Sequence, residues 1–239
     1  METQTRKTIG AWILISLPVT LASFSAAAAP AVDTGTPREH RVAHARELLG
    51  GTYSRSVVRQ SERLENVETF VAKVTQRALR GKWARYAPVV AKTILEESEN
   101  YGFDPIFLMA MIENESSFRP DMRGDAGEIG LMQILPNTGK WISQKAHLPW
   151  NGKKTLEDPV ANIRLGVAFI SMLREQFDSH GRLYMAAYNM GARNVHKALG
   201  KKIMPKEYPR RVMQRYIRFY SELSIGQPVL TRSRTLASN

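Results

Sequence analysis

The sequence predicts an all-α fold, on three observations. Dense helical periodicity begins near Tyr86 and runs to about Leu223. The same helix-start signal occurs twice, at Asp104-Pro105 and Asp158-Pro159, with Asp as the N-cap and Pro in the first turn. Alternating apolar–polar runs of useful strand length are missing, so no sheet is expected.

Taken in order, the elements divide the 239 residues into one domain of ordinary size with flanking segments. Arg6 and Lys7 precede an apolar run, Ala11 to Phe24, and small residues follow at Ser25 to Ala29. That order predicts a secretory signal peptide over residues 1–29, cut near Ala28 or Ala31. An uncleaved anchor is disfavoured, because the run is shorter than the ~20 residues that span a bilayer and Pro18 interrupts it. Residues 30–85 form a linker and an accessory helical segment, with short helical patterns at Arg41–Leu49 and Leu64–Leu79. No motif there carries chemistry; packing on the main domain is the expectation, and a partner-docking arm is the alternative.

The main domain spans residues 86–222, with a frayed tail at 223–239. Its first helix, from Tyr86, ends at Gly102, a residue suited to helix C-termini. The next, Pro105 to about Ser116, is apolar on nearly every side (IFLMAMI) and is expected in the middle of the core. The helix opened by Asp158 carries one stripe: Ile163, Gly166, Val167, Ile170, Leu173 and Phe177. Shorter helices are expected around Leu183–Tyr188 and Ala192–Leu199, the latter stopped by Gly200. The last, about Tyr208–Leu223, has the stripe Val212, Tyr216, Phe219 and Tyr220, with Arg211, Arg215 and Arg218 expected as a solvated face.

Composition narrows the partners. Lys and Arg number 34 against 22 Asp and Glu, a net charge of +12 that favours anionic surfaces. Export places such a chain against the cell wall or acidic headgroups, in the periplasm or cell-wall space, and away from nucleic acid. Peripheral membrane association is compatible with that charge. Cysteine is absent, which excludes thiol nucleophiles, thiolate metal sites and disulfides. The histidines, at 40, 44, 147, 180 and 196, are scattered; only His40 and His44 share a helical i, i+4 spacing, and they are expected as a solvated pair.

The chemically informative stretch is IENESSFRPDMRGDAGEIGLMQILP, residues 112–136. Glu113 and Glu115 sit two residues apart, about 200° around the helix, and cannot pair with each other. Glu115 continues the face of Leu108, Met111 and Ile112, where lost solvation would keep a carboxylic acid protonated. Glu113 lies on the face of Ile106, Met109 and Ala110, so helix geometry alone leaves both open. Gly124, Gly127 and Gly130 then form a loop that can bring backbone close to a ligand or can be a tight structural turn. Its spacing matches no phosphate-binding fingerprint.

Three elements in order carry a resemblance. Glu115-Ser116-Ser117-Phe118-Arg119-Pro120, then Gly127 with Gly130-Leu131-Met132-Gln133-Ile134, then Ala187-Tyr188-Asn189-Met190-Gly191 resemble the soluble lytic transglycosylase (SLT) family. The likeness covers roughly residues 86–222. It implies a lysozyme-like helical domain, of the goose-type and SLT kind, with a saccharide groove and with Glu115 as the catalytic acid. It implies further that Ser116, Gly130, Met132 and Gln133 border the groove, with Tyr188 and Asn189 across it. Tyr208 keeps part of the family's ETxxY element, where Met204 replaces the Glu. Gly124 and Glu128 depart from the family's usual Ser and Ala, and Glu128 adds a charge to the loop.

The expected reaction is cleavage of the MurNAc–GlcNAc bond of peptidoglycan without water, by one glutamate acting as acid and then base. No metal or cofactor is implied, and a monomer is expected. Asp121 and Asp125 look like solvated loop residues, so no second carboxylate is evident. Three other readings stand beside this one: a water-using goose-type muramidase, a glycan-binding module without activity, and a scaffold in a wall-spanning machine.

Overall fold

The computed structural model describes residues 37–225. The expected signal peptide, the start of the linker and the tail beyond Ile225 lie outside the described residues. The helices are α1 (Pro37–Leu49), α2 (Val57–Gln60), α3 (Val67–Ala78), α4 (Ala87–Asn100) and α5 (Pro105–Ser116). They are followed by α6 (Pro136–Lys145), α7 (Lys153–Glu157), α8 (Pro159–Gln176), α9 (Gly181–Met190), α10 (Ala192–Gly200) and α11 (Glu207–Ile225). Short 3-10 turns at Gly50–Arg55 and Gly81–Tyr86 connect α1 to α2 and α3 to α4. Among the described residues there are no strands, only isolated bridges at Ile129 with Arg123 and Ile134. No helix among them is long and apolar enough to cross a membrane.

α5 is the axis of the core. Asp104 caps it as expected, its carboxylate accepting from the Ile106 N–H at 2.9 Å. Every residue from Pro105 to Ile112 is buried. Each such large apolar side chain contributes roughly 1.5–3 kcal/mol by leaving water. The apolar stripe of α11, from Val212 through Tyr216 and Phe219 to Leu223, packs along it. α4 lies between α3 and α8, and α9 joins α8 to α10. α6 and α7 were not anticipated: α6 is polar around a buried Ile142, and α7 is five residues long. Gly200 falls inside α10, and α11 runs two residues past Leu223.

The segment before Tyr86 shares this core. Val67, Val71 and Val74 of α3 are buried at i, i+4 and i+7, and α3 packs on α4. Arg41 is buried and donates to Tyr220 Oη (3.3 Å) and to the Glu62 carbonyl (2.8 Å).

His44 overturns the expectation of a solvated histidine pair, since it is fully buried. Its Nδ1 accepts from the Asp104 N–H (3.1 Å) and its Nε2 lies 3.0 Å from Tyr184 Oη. An acceptor at Nδ1 puts the proton on Nε2, which donates to the tyrosine. Burial, with the Arg174 guanidinium nearby, holds this imidazole well below its usual pKa, so it is neutral. The i, i+4 spacing arose because α1 turns one face inward.

Candidate active site

Glu113 and Glu115, equivalent by helix geometry, have different fates. Glu113 sits against arginines of α11, paired with Arg218 and 3.8 Å from Arg215 Nε. This corrects the reading of those arginines as merely solvated: two of them hold a carboxylate. Arg211 instead lies over the Tyr208 ring, 5.6 Å from its centroid.

Glu115 projects, half-buried, from the last turn of α5, and its Oε1 accepts a hydrogen bond from Tyr208 of α11. Burial pushes its carboxyl above the usual range. The Tyr208 hydrogen bond, Asn114 and the Arg211 guanidinium pull the other way, and the charge of Glu128 pushes up again. Desolvation is the largest of these effects, so the acid holds its proton more tightly than an exposed glutamate. Tyr208 and Tyr188 are themselves raised well above the usual phenol value, first by burial and then by the Glu115 charge. Both remain neutral donors.

The chain leaves α5 sharply. Ser117 (φ 52°) and Phe118 (φ 58°) are both left-handed, a conformation costing about 1–2 kcal/mol per residue. Phe118 is buried, which anchors the turn. The glycine loop follows, and its N–H groups are used within the loop. Gly124 donates to Glu128 O (3.0 Å), Gly127 to Gly124 O (3.1 Å) and Gly130 to Met122 O (3.0 Å). Of the two readings of these glycines, a ligand-approaching loop or a tight structural turn, their N–H groups support the internally bonded turn. Gly130 also has positive φ (83°), and a Cβ there would lie 2.6 Å from the Leu156 carbonyl oxygen and closer still to Asn162 Nδ2. Only glycine fits.

Asn162, on the buried face of α8, fastens this loop, a role the sequence reading missed. Its Oδ1 accepts from the Met132 N–H (2.8 Å), and its Nδ2 donates to Ile129 O and Leu156 O (2.9 Å each). A lone amide beside a buried stripe was the available signal.

The remaining expected site residues fall into two groups. Gln133 is half-buried at φ 48°, its amide donating to Gly130 O (2.9 Å) and Met122 O (3.2 Å). Tyr188 donates to the Met132 carbonyl (2.8 Å), tying α9 to the loop, and Asn189 beside it is exposed. Ser116 and Met132 present no side chain to solvent. The Ser116 hydroxyl donates to Leu131 O (2.9 Å) and Met132 packs over Gly166.

One further carboxylate stands here. Glu128 Oε2 accepts from the Ala126 N–H (3.1 Å), and the carboxylate occupies the space over Gly124, where a side chain would collide with it and with Gln133 Oε1 (2.9 Å). Gly124 and Glu128, the two departures noted in the sequence, thus fit each other. Asp121 is exposed, near Lys82 (4.0 Å) and accepting from Trp83 Nε1 (3.2 Å).

The site thus joins a half-buried carboxylic acid at a helix end, the buried Tyr208, the half-buried Tyr188 and a fastened glycine loop in an all-α domain. Residues 92–209 match the family model of the transglycosylase SLT domain. It is 34% identical over 119 residues to the membrane-bound lytic murein transglycosylase C of Histophilus somni, covering 45% of this chain and 31% of that one. It is 32% identical over 95 residues to the soluble lytic murein transglycosylase of Escherichia coli K12, covering 39% of this chain and 15% of that one. The chain therefore spans less than a third of the length of either relative. Its fold matches the lytic transglycosylase Slt of Pseudomonas aeruginosa, solved as an inactive glutamate-to-glutamine mutant. That match has a TM-score of 0.52 and 23% identity, covering 81% of this chain and 39% of the other.

Proposed function

We propose that this chain is a peptidoglycan lytic transglycosylase, exported to the periplasm, with Glu115 as its single acid/base. The observation that carries the reading is the Glu115 carboxyl: half-buried, raised in pKa by lost solvation and held by Tyr208, beside the loop of the SLT domain. The lytic murein transglycosylases to which the domain is similar point to the same substrate.

Tyr208 occupies Oε1, which leaves Oε2 to carry the proton. Glu115 donates that proton to the oxygen linking MurNAc C1 to GlcNAc, the C1–O bond breaks, and positive charge develops at C1. The resulting carboxylate takes the proton of the C6 hydroxyl as O6 bonds to C1. The products are a GlcNAc with a free 4-hydroxyl and a 1,6-anhydro-MurNAc end. Atoms balance without water, because the attacking oxygen belongs to the same sugar.

One observation favours a second reading, hydrolysis. The Glu128 carboxylate is close enough for its charge to act on Glu115, so a second carboxylate is available as a candidate base for water. Mass spectrometry of products from purified sacculi separates the two. Anhydro-muropeptides from wild type, absent with Glu115→Gln, are expected; products heavier by one water that depend on Glu128 would move the assignment to a muramidase.

A further inference from the structure

Trp141, on α6, is 45% exposed. It is the one aromatic among the large apolar side chains exposed in the described residues, the others being Val89, Leu135, Met190, Ile203, Met204 and Ile225. It does not stand alone. The indole meets Phe169 of α8 at 6.3 Å between centroids and 86° between planes, and Phe169 tilts against Tyr188 at 5.2 Å and 44°. Tyr188 in turn is bonded to the Met132 carbonyl next to Gln133, and it feels the charge of Glu115. An unbroken aromatic row therefore runs from the acid's immediate surroundings out to an open indole.

Two further exposed apolar side chains come from the segments that carry site residues. Leu135 is exposed two residues beyond Gln133, and Met190 is exposed directly after Asn189. Single exposed apolar residues need no explanation. A tryptophan at the end of a packed row is different, because its ring is already ordered and offers a large flat surface at low entropic cost.

We propose that Trp141 is an outlying sugar-binding platform, on which the C–H face of a GlcNAc or MurNAc ring stacks as the strand leaves the cleavage point. This rests on the glycan-cleaving reading above. A pyranose ring has a polar rim of hydroxyls and an apolar face of ring hydrogens, and the indole is matched to that face. The platform lets an enzyme with a short catalytic domain hold a long polymer through the faces of its sugar rings rather than through charge. Charged peptide stems are not what a bare indole recognises.

The test is binding of peptide-free glycan strands to the full chain carrying Glu115→Gln, alone and with Trp141→Ala or Trp141→Phe added. Trp141→Ala is expected to weaken binding by about tenfold, and Trp141→Phe to restore most of it. In the cleaving protein, Trp141→Ala is expected to raise KM for long strands while kcat changes by less than about twofold. Trp141→Phe should also remove the change in tryptophan emission that strands produce, although Trp12, Trp83 and Trp150 remain. Unaltered thermal unfolding of the Trp141 variants verifies that the fold is intact. Strand affinity for Trp141→Ala equal to its parent's, or a loss of kcat without a rise in KM, would overturn the platform. Failure of the glycan-cleaving reading itself would show in the product masses, and not in the ratio of these binding constants.

Discussion

Replacing Asn162 with Ala removes three buried hydrogen bonds at once. The Met132 N–H loses its acceptor, and the carbonyls of Ile129 and Leu156 each lose a donor. Asn162 is fully buried, so water does not freely take its place. A buried N–H left unsatisfied costs about 1–3 kcal/mol, and each lost carbonyl partner about 1 kcal/mol. A small void adds to this, giving a total of about 3–5 kcal/mol. For a domain of this size the melting temperature should fall by about 10 °C. Urea unfolding with linear extrapolation checks the free energy, and product formation from sacculi checks the site. Activity should fall further than the unfolded fraction explains, because the segment bearing Met132 and Gln133 loses its fastening to α8. Asn162→Asp separates shape from hydrogen bonding. It keeps the acceptor for Met132 but puts an oxygen opposite two carbonyls, and it should be at least as damaging as Ala. A cost below about 1 kcal/mol for Asn162→Ala would refute the reasoning, and would mean that the loop's own turn bonds suffice.

Glu115 and its neighbours give four further expectations. Because the folded state raises the Glu115 pKa, wild-type stability is full below the ordinary glutamate value of 4.5 and declines as pH rises toward the folded value. Glu115→Gln carries no such loss, so it should melt higher than wild type at neutral pH, with the two converging in acid; calorimetry against pH reads this directly. The same variant should lose at least about a hundredfold in turnover, measured as anhydro-muropeptide release. Tyr208→Phe removes a hydrogen bond that lowers the Glu115 pKa, so the fall of activity on the alkaline side should move to higher pH while kcat drops. Glu128→Gln removes a charge that raises the Glu115 pKa and should move that limb to lower pH. Equal pH–rate profiles for wild type and Glu128→Gln would show that the two carboxylates do not interact.

The long buried elements were legible in the sequence, because local signals and burial agreed there. α5 and α8 have an Asp cap, a Pro in the first turn and a strong apolar pattern, and α11 has an unbroken stripe. α6 and α7 were not legible, since what holds them is contact with α8 and not any pattern of their own. At the site, helix geometry could not choose between Glu113 and Glu115. The choice lies in partners about 100 residues away: Arg218 for one and Tyr208 for the other. Glu128 had the look of an exposed loop charge until the turn bonds at Gly124 and Gly127 folded it back beside Gln133. His44 was misread for a related reason. Its helix has no marked apolar face, so nothing local announced that the imidazole is buried.

These long-range partners form a single device. α5 and α11 run antiparallel, and polar contacts close both ends of the pair. At the start of α5, Asp104 accepts from Tyr216 and Tyr220 at 2.6 Å each, while its N–H donates to His44. At the other end, Glu115 accepts from Tyr208. From Asp104 to Glu115 is about 17 Å of helix, and from Tyr208 to Tyr220 about 18 Å, so the two ladders are in register. A slide of α11 by one turn would break both ends together. Asp104 is itself raised in pKa by burial, with the two tyrosines, Arg41 and its cap bond pulling it back. The hydrogen bond that orients the acid therefore depends on a buried polar cluster at the far end of the helix, and α1 completes that cluster through Arg41 and His44. On this argument the N-terminal segment belongs to the positioning of Glu115, although it contributes no group to the chemistry.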